Sequence, residues 1–234
     1  MKFENIEIFN VQGALRGMRN PKNSWSRGDT HIENVSKNSL PKGLKNVAPV
    51  GDNAIVIVGP NDAELAQKLI QAGPEHAKFL RQIFITIDIT APLYFWKEFD
   101  TYKIGTVANS TSTMHKLADT PITLDCFEMG DYQNDVKVYG MEHYNPDIYM
   151  DKVWGELIEV CECLRLRYLE TKDIRYWKEL IRILPESWLQ KRTVTLNYAV
   201  LRNMYSQRKN HKLTEWHDFC KMVEELPLAK LFIL

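Results

Sequence analysis

The chain has no surplus of charge: across 234 positions, 30 basic residues are matched by 30 acidic ones. A phosphate polymer is held largely by counterion release from a positive surface, so this balance argues against a nucleic-acid polymer as partner. Long apolar runs are missing too. None approaches the roughly 20 residues of a membrane span, and the start, Met1-Lys2-Phe3-Glu4-Asn5, lacks a signal-peptide core. The expectation is a soluble, cytoplasmic protein with no membrane partner. Cysteine is scarce, at 4 residues, and Cys161 and Cys163 sit two apart in a helical pattern, on different faces. They read as ordinary thiols rather than a disulfide framework. The histidines are scattered, except for His211 and His217 flanking a helix start at Thr214, so no metal site is expected. Neither G-x-G-x-x-G after a strand nor a Walker loop occurs, which leaves Gly51, Gly59 and Gly73 as turn or cap residues.

What is present is enough apolar material, 44% of residues, for one substantial core, and the reading is a single domain over residues 1–234. The most informative stretch runs from Ile83 to His115. Ile83, Ile85, Ile87 and Ile89 alternate with Phe84, Thr86, Asp88 and Thr90, the period of a half-buried strand. A helix is expected to start at Pro92 and to end at Gly105, which can take the left-handed conformation. The polar run Thr106 to Thr113 then reads as a loop. Polar groups collected at such a junction are well placed to hold a small anion.

Elsewhere, a first strand is expected over residues 3–11, followed by the tract Arg16 to Arg27. Its three arginines, lysine and tryptophan can clamp a phosphate and stack on a ring, or form a solvated loop. Residues 54–59 form a short apolar strand suited to an inner position. Asn61 to Ile70 reads as a capped helix ended by Gly73, with Pro60 before it. A helix from Asp147 carries Val153, Leu157, Cys161, Leu164 and Tyr168 at helical spacing, and Asp173 caps the next one, which Pro185 stops. Between them, Phe127, Tyr132, Tyr139 and Tyr144 either cover a pocket or pin a loop. Asn197, Leu201, Met204 and Arg208 fall along one helical stripe. Trp216, Phe219, Cys220 and Val223 share a face of the last helix, as core or subunit contact.

The framework of two segments resembles the flavin-dependent thymidylate synthases. In that family a strand leads to Ala-Pro and a helix, whose last turn carries Arg-His-Arg, seven residues and Ser. Here Ala91-Pro92 is followed, at the same spacing, by Thr101-Tyr102-Lys103 and then by Thr111 between Ser110 and Ser112. A second family segment, Pro, eleven residues and Asn-x-Arg-x-Leu-x-Asn-x-x-x-x-Arg, is matched by Pro185, Asn197, Leu201, Asn203 and Arg208, with Ala199 in place of the middle arginine. The resemblance covers residues 61–117 and 185–225.

It implies an α+β fold, with a central, mainly antiparallel sheet flanked by helices. The implied reaction is reductive methylation of a pyrimidine deoxynucleotide, dUMP or one with a related base, with methylenetetrahydrofolate as carbon source, FAD as flavin and NADPH as reductant. The implied assembly is a homotetramer. By position, the resemblance makes Arg208 the catalytic residue that polarises the pyrimidine. It places His76, Thr101, Tyr102, Lys103, Asn109, Asn197 and Asn203 near the flavin. Glu98, Ser110, Thr111, Ser112, Thr113, Arg182 and Arg208 fall near the nucleotide. Thr101 and Lys103 stand where the family has planar guanidiniums, and Lys103 keeps a charge but not a fork. The alternative is a nucleotide-binding protein on the same scaffold without redox chemistry.

Overall fold

The computed structural model describes residues 1–35, 46–51, 53–130, 137–138 and 148–234; Tyr132, Tyr139, Tyr144 and Asp147 lie outside the described residues. In chain order the strands are β1 (Lys2–Phe9), β2 (His31–Asn34), β3 (Val47–Pro49), β4 (Ala54–Ile57), β5 (Phe84–Pro92), β6 (Thr106–Ser110), β7 (Lys137–Val138), β8 (Ile148–Tyr149) and β9 (Leu189–Asn197). The helices are α1 (Val11–Gly17), α2 (Pro60–Ala72), α3 (Leu93–Phe99), α4 (Thr113–Lys116), α5 (Met150–Thr171), α6 (Ile174–Ile183), α7 (Tyr198–Arg208), α8 (Thr214–Glu225) and α9 (Ala229–Phe232). The architecture is α+β, with antiparallel sheets flanked by helices. No described helix is long and apolar enough to cross a membrane.

The chain divides into two compact units. The larger comprises Lys2–Ile89, Phe99–Asn109 and Arg192–Leu234. Its main sheet has the order β1-β5-β9-β6. As the alternation requires, Ile83, Ile85, Ile87 and Ile89 are at most 1% exposed, and full burial of each contributes about 2 kcal/mol. The other face is polar and cross-bonded between strands. The Thr86 and Thr195 hydroxyls lie 2.9 Å apart, and Asp88 accepts from Asn5 at 2.9 Å and Thr193 at 2.6 Å. The apolar run of β4 is the middle strand of a second sheet, β2-β4-β3, antiparallel on both sides. The inner position expected for it is the one it holds.

Helix α2 is capped from afar. Its N-cap residue Gly59 offers no side chain, and Pro60 takes the first helical position, where its missing N–H costs nothing. The Asp29 carboxylate accepts instead from the backbone N–H of Asn61 at 2.8 Å and of Asp62 at 3.0 Å. Asp62 returns the contact, accepting from the N–H of Asp29 and Thr30 at 3.2 and 2.9 Å and from Arg19 Nε at 2.6 Å. Any Cβ on Gly59 would lie 2.3 Å from Asp29 Cγ, so this close approach requires glycine. Burial acts to raise the Asp62 pKa, but hydrogen bonds from Thr30 and Arg19 outweigh it and hold the carboxyl below the usual aspartate value.

The smaller unit is Met1, Thr90–Glu98 and Ser110–Lys191. Its core is Leu117, Ile122, Phe127, Cys161 and Leu180, against which Trp154, Leu157, Leu164 and Trp188 pack. Phe127 meets Trp188 edge-on at 5.5 Å. Within α5 the stripe is therefore Trp154, Leu157, Cys161 and Leu164; Val153, expected on it, is 38% exposed because the neighbouring Trp154 covers that core instead. Cys161 is buried and Cys163 exposed, as their spacing requires, and burial pushes the Cys161 thiol up to about 11. Arg165, itself buried, is neutralised by Glu162 at 2.6 Å and donates to the Ala118 carbonyl at 3.1 Å. Asp173 caps α6 by accepting from the Arg175 N–H at 2.9 Å.

Three local expectations are corrected. The first strand ends at Phe9, and part of the tract after it is helical: Val11–Gly17 is α1, and 3-10 turns hold Asn20–Lys22 and Trp25–Arg27. Pro92 closes β5 rather than opening the helix, and α3 stops at Phe99, six residues short of Gly105. The Thr106 to Thr113 run is not a loop. Thr106–Ser110 is an edge strand beside β9, which satisfies its backbone groups on that side, and Thr113 opens α4.

Candidate functional site

In the larger unit, the two segments that carry the sequence resemblance meet. Beyond Phe99 the chain turns, with the Tyr102 N–H donating to the Phe99 carbonyl at 3.0 Å, and the Tyr102 side chain then folds onto α7 and α8. There Arg208 Nε donates to Tyr102 Oη at 2.9 Å, Tyr102 Oη donates to Gln207 Oε1 at 2.8 Å, and Gln207 Nε2 donates to Asn203 Oδ1 at 3.0 Å. One hydrogen-bonded row thus joins three of the sequence candidates, Tyr102, Asn203 and Arg208, through Gln207. Sequence reasoning missed Gln207. Its spacing, four residues after Asn203 on one helix, is the signal that would have found it.

The Arg208 guanidinium lies over two rings. It lies 4.7 Å from the Trp216 centroid and 5.5 Å from that of Tyr102, and Trp216 is fully buried. Phe99 stacks on the same indole at 6.4 Å and 11°, and His211 meets it edge-on at 6.2 Å. Such contacts orient a cation, each worth about 0.5–2 kcal/mol. Trp216, expected as core or subunit contact, is core and also the floor under Arg208.

Asn197 stands at the other end of α7. It is 7% exposed, and its Oδ1 accepts from the Val200 N–H at 3.0 Å, the N-cap of the helix. Gly105 (φ 79) turns the chain into β6 at this point, where an added Cβ would lie 2.8 Å from Asn197 Nδ2. The turn between them exposes Thr101 and Lys103, and Ile104 is 93% exposed. Lys103 makes no ion pair or hydrogen bond among the described residues. A second cation that sequence reasoning missed sits beside this turn: Arg192, 14% exposed, donates to Asp100 Oδ1 at 2.8 Å. Asn109 lies on the exposed edge strand β6, and His76, beyond the end of α2, is 56% exposed beside Glu75.

The remaining candidates belong to the smaller unit. Thr111 donates its backbone N–H and its hydroxyl to the Lys191 carbonyl at 2.9 and 3.1 Å, and Gln190 Nε2 donates to the Thr111 carbonyl at 2.8 Å and Thr113 Oγ1 at 3.4 Å. Ser110 is exposed and Ser112 half-buried. Glu98 is half-buried on α3. Arg182 is exposed and paired with Glu179 one turn away on α6, the geometry of a surface ion pair.

No protein-family model matches this chain, and no curated protein matches it in sequence. Solved structures do. The fold is that of the flavin-dependent thymidylate synthases. In particular, the chain is similar to the Helicobacter pylori enzyme ThyX, solved with FAD and dUMP, at TM-score 0.62 and 16% identity, over 99% of this chain and 98% of that one. It is also similar to the UMP/dUMP methylase PolB of Streptomyces cacaoi, solved with 5-Br UMP, at TM-score 0.53 and 14% identity, over 88% and 94% of the two chains.

Proposed function

We propose that this chain is a diverged pyrimidine-mononucleotide enzyme of the flavin-dependent thymidylate synthase type. It binds dUMP or a nucleotide with a related base and methylates it reductively. The observation that carries the reading is the row Arg208–Tyr102–Gln207–Asn203, in which the two matched segments converge, within a fold shared with a dUMP-binding and a UMP-binding protein. A guanidinium fixed over two aromatic rings can donate to, and so stabilise, the negative charge that develops on a pyrimidine carbonyl during attack at the neighbouring carbon. Because its orientation is set beforehand, that stabilisation requires no reorganisation during the reaction. Gln207 and Asn203 keep the Tyr102 hydroxyl in one orientation, and so keep Arg208 in place.

The exposed residues around this row fit FAD in a weakened form. Lys103, with no competing ion pair among the described residues, and His76 would hold its phosphates; Tyr102, Asn109 and Asn203 would contact the rings. When bound, FAD reduced by NADPH would supply hydride, with methylenetetrahydrofolate supplying the carbon. A lysine contacts a pyrophosphate as a point charge, and losing two charge-assisted guanidinium contacts of about 1.5–3 kcal/mol each weakens binding by roughly a hundredfold or more. Assembly as a cytoplasmic homotetramer belongs to the same reading.

The replacement of both flanking guanidiniums by exposed Thr101 and Lys103 favours a second reading, a nucleotide-binding protein without redox chemistry. The absorption spectrum of the purified protein after FAD addition and desalting separates the two. A retained flavin that, once reduced with NADPH in the absence of oxygen, is reoxidised only when dUMP and methylenetetrahydrofolate are present supports the first. Nucleotide binding to a protein that retains no flavin selects the second, and binding of neither overturns both.

A further inference from the structure

A second cluster lies at the N-terminal end of α2, the opposite end of that 13-residue helix from His76, a helix length of about 20 Å. A cavity of about 260 Å³ is lined there by Gln12, Arg16, Arg19, Trp25, Gly28 and Asp62. Arg19 is 5% exposed, and its Nε is committed to Asp62 at 2.6 Å, yet its buried Nη2 has no hydrogen-bond partner. Leaving a guanidinium N–H unpaired in the interior is costly, and natural structures rarely do so without a ligand or ordered water. Arg16 is exposed at the mouth and makes no ion pair or hydrogen bond among the described residues. Asp62 does not compete for it: Oδ1 accepts from Arg19, and Oδ2 from the N–H of Asp29 and Thr30. With Arg19 neutralised by Asp62, Arg16 is left as the uncompensated charge of the cavity. Trp25, 51% exposed, adds a flat wall, its Nε1 tied back to Asn20 at 2.8 Å.

The geometry points to an oxyanion site, separate from the Arg208 row, that takes the phosphate group of a small phosphomonoester between Arg16 and Arg19 Nη2, with a planar substituent against Trp25. Arg16, on α1, offers a forked pair of donors to phosphate oxygens, and Arg19, three residues on, adds Nη2. An aromatic wall beside them rewards an attached ring over bare phosphate.

The test is calorimetric titration of the intact protein with inorganic phosphate and with phenyl phosphate, for wild type, Arg16→Ala, Trp25→Ala and Arg208→Ala. Arg16 and Trp25 are exposed, so both variants fold, and unchanged thermal unfolding verifies this. Phenyl phosphate is expected to bind several-fold more tightly than phosphate, and Trp25→Ala to remove that advantage. Arg16→Ala should weaken both tenfold or more, while Arg208→Ala leaves both unchanged. Absence of saturable binding at millimolar phosphate, or binding that follows Arg208 and ignores Arg16, overturns the site. Because the ligands are neither flavin nor nucleotide, failure here leaves the reading at Arg208 standing, and the reverse also holds.

Discussion

Arg19 and Arg208 lie in the same compact unit and each donates through Nε, but they are built for opposite ends. Arg19 is buried, its Nε partner is a carboxylate that also accepts from two backbone N–H groups, and only Nη2 is left toward the cavity. Arg208 is half-buried, its Nε partner is a phenol, and its guanidinium lies over the Trp216 and Tyr102 rings. A charge compensated by a fixed carboxylate holds structure together. A guanidinium oriented by two rings and a phenol is set in one direction.

The comparison is broken most directly by removing one carboxylate. Asp62→Asn leaves the Arg19 charge uncompensated in the interior, which costs about 3 kcal/mol or more. For a chain of this size, that lowers the midpoint of thermal unfolding by about 6–12 °C. An unchanged melting curve would mean that Arg19 is not the structural arginine described here. Arg208→Ala is expected to do the reverse. Dissociation of dUMP should rise by roughly ten- to a hundredfold, the worth of one charge-assisted contact, while melting falls by only a few degrees. A melting loss equal to that of Asp62→Asn, with dUMP binding intact, would reduce Arg208 to a packing residue.

Much of this contrast was legible in the sequence, and the illegible part has physical causes. The isoleucine alternation of β5 and the stripe Asn197, Leu201, Met204 and Arg208 are periodic, so burial followed from spacing: Leu201 and Met204 are 1% and 0% exposed. The α+β fold followed from the two matched segments. The edge strand Thr106–Ser110 did not, because its four outermost residues are all exposed and carry no alternation; only pairing with β9 makes them a strand. The end of α3 at Phe99 was hidden because Gly105 offered an obvious stop. What ends the helix is tertiary, with Asp100 drawn to Arg192 and Tyr102 to Trp216. The Asp29 cap of α2 spans 32 residues, beyond the reach of any local signature. Of the site, Arg208, Tyr102 and Asn203 were named, but Gln207 and the second role of Trp216 depend on a contact between distant segments.

Two smaller changes sharpen the account of the Arg208 row. Gly105→Ala forces a side chain into a φ of 79° and against Asn197 Nδ2. It should cost about 1–3 kcal/mol and loosen the turn that presents Lys103, so FAD or nucleotide binding should fall together with stability. Tyr102→Phe keeps the ring under the guanidinium and removes only the hydroxyl. It is expected to cost about 1 kcal/mol, read as a several-fold weaker dUMP affinity with melting nearly unchanged. If Tyr102→Phe matched Arg208→Ala in size, the hydroxyl rather than the guanidinium would be the group the ligand meets.

The gentlest separation of the two arginines uses pH. Hydrogen bonds from Thr30 and Arg19 hold the Asp62 carboxyl below its ordinary value of 3.8 in the folded protein, against the opposing effect of burial. On acidification the unfolded chain therefore takes up this proton first. The stabilisation is complete above that ordinary value and is lost as pH falls through it toward the lower folded value, at no more than about 1.4 kcal/mol per pH unit for one proton. Asp62→Asn has no such proton to bind. Urea-unfolding free energies of wild type and Asp62→Asn, measured from pH 5 downward, roughly one unit above the ordinary aspartate range, should therefore converge as the solution becomes more acid. The same series on Arg208→Ala should run parallel to wild type, since that substitution leaves the Asp62 node intact; convergence there instead would mean that acid stability is carried by the ring-held arginine and not by the buried one.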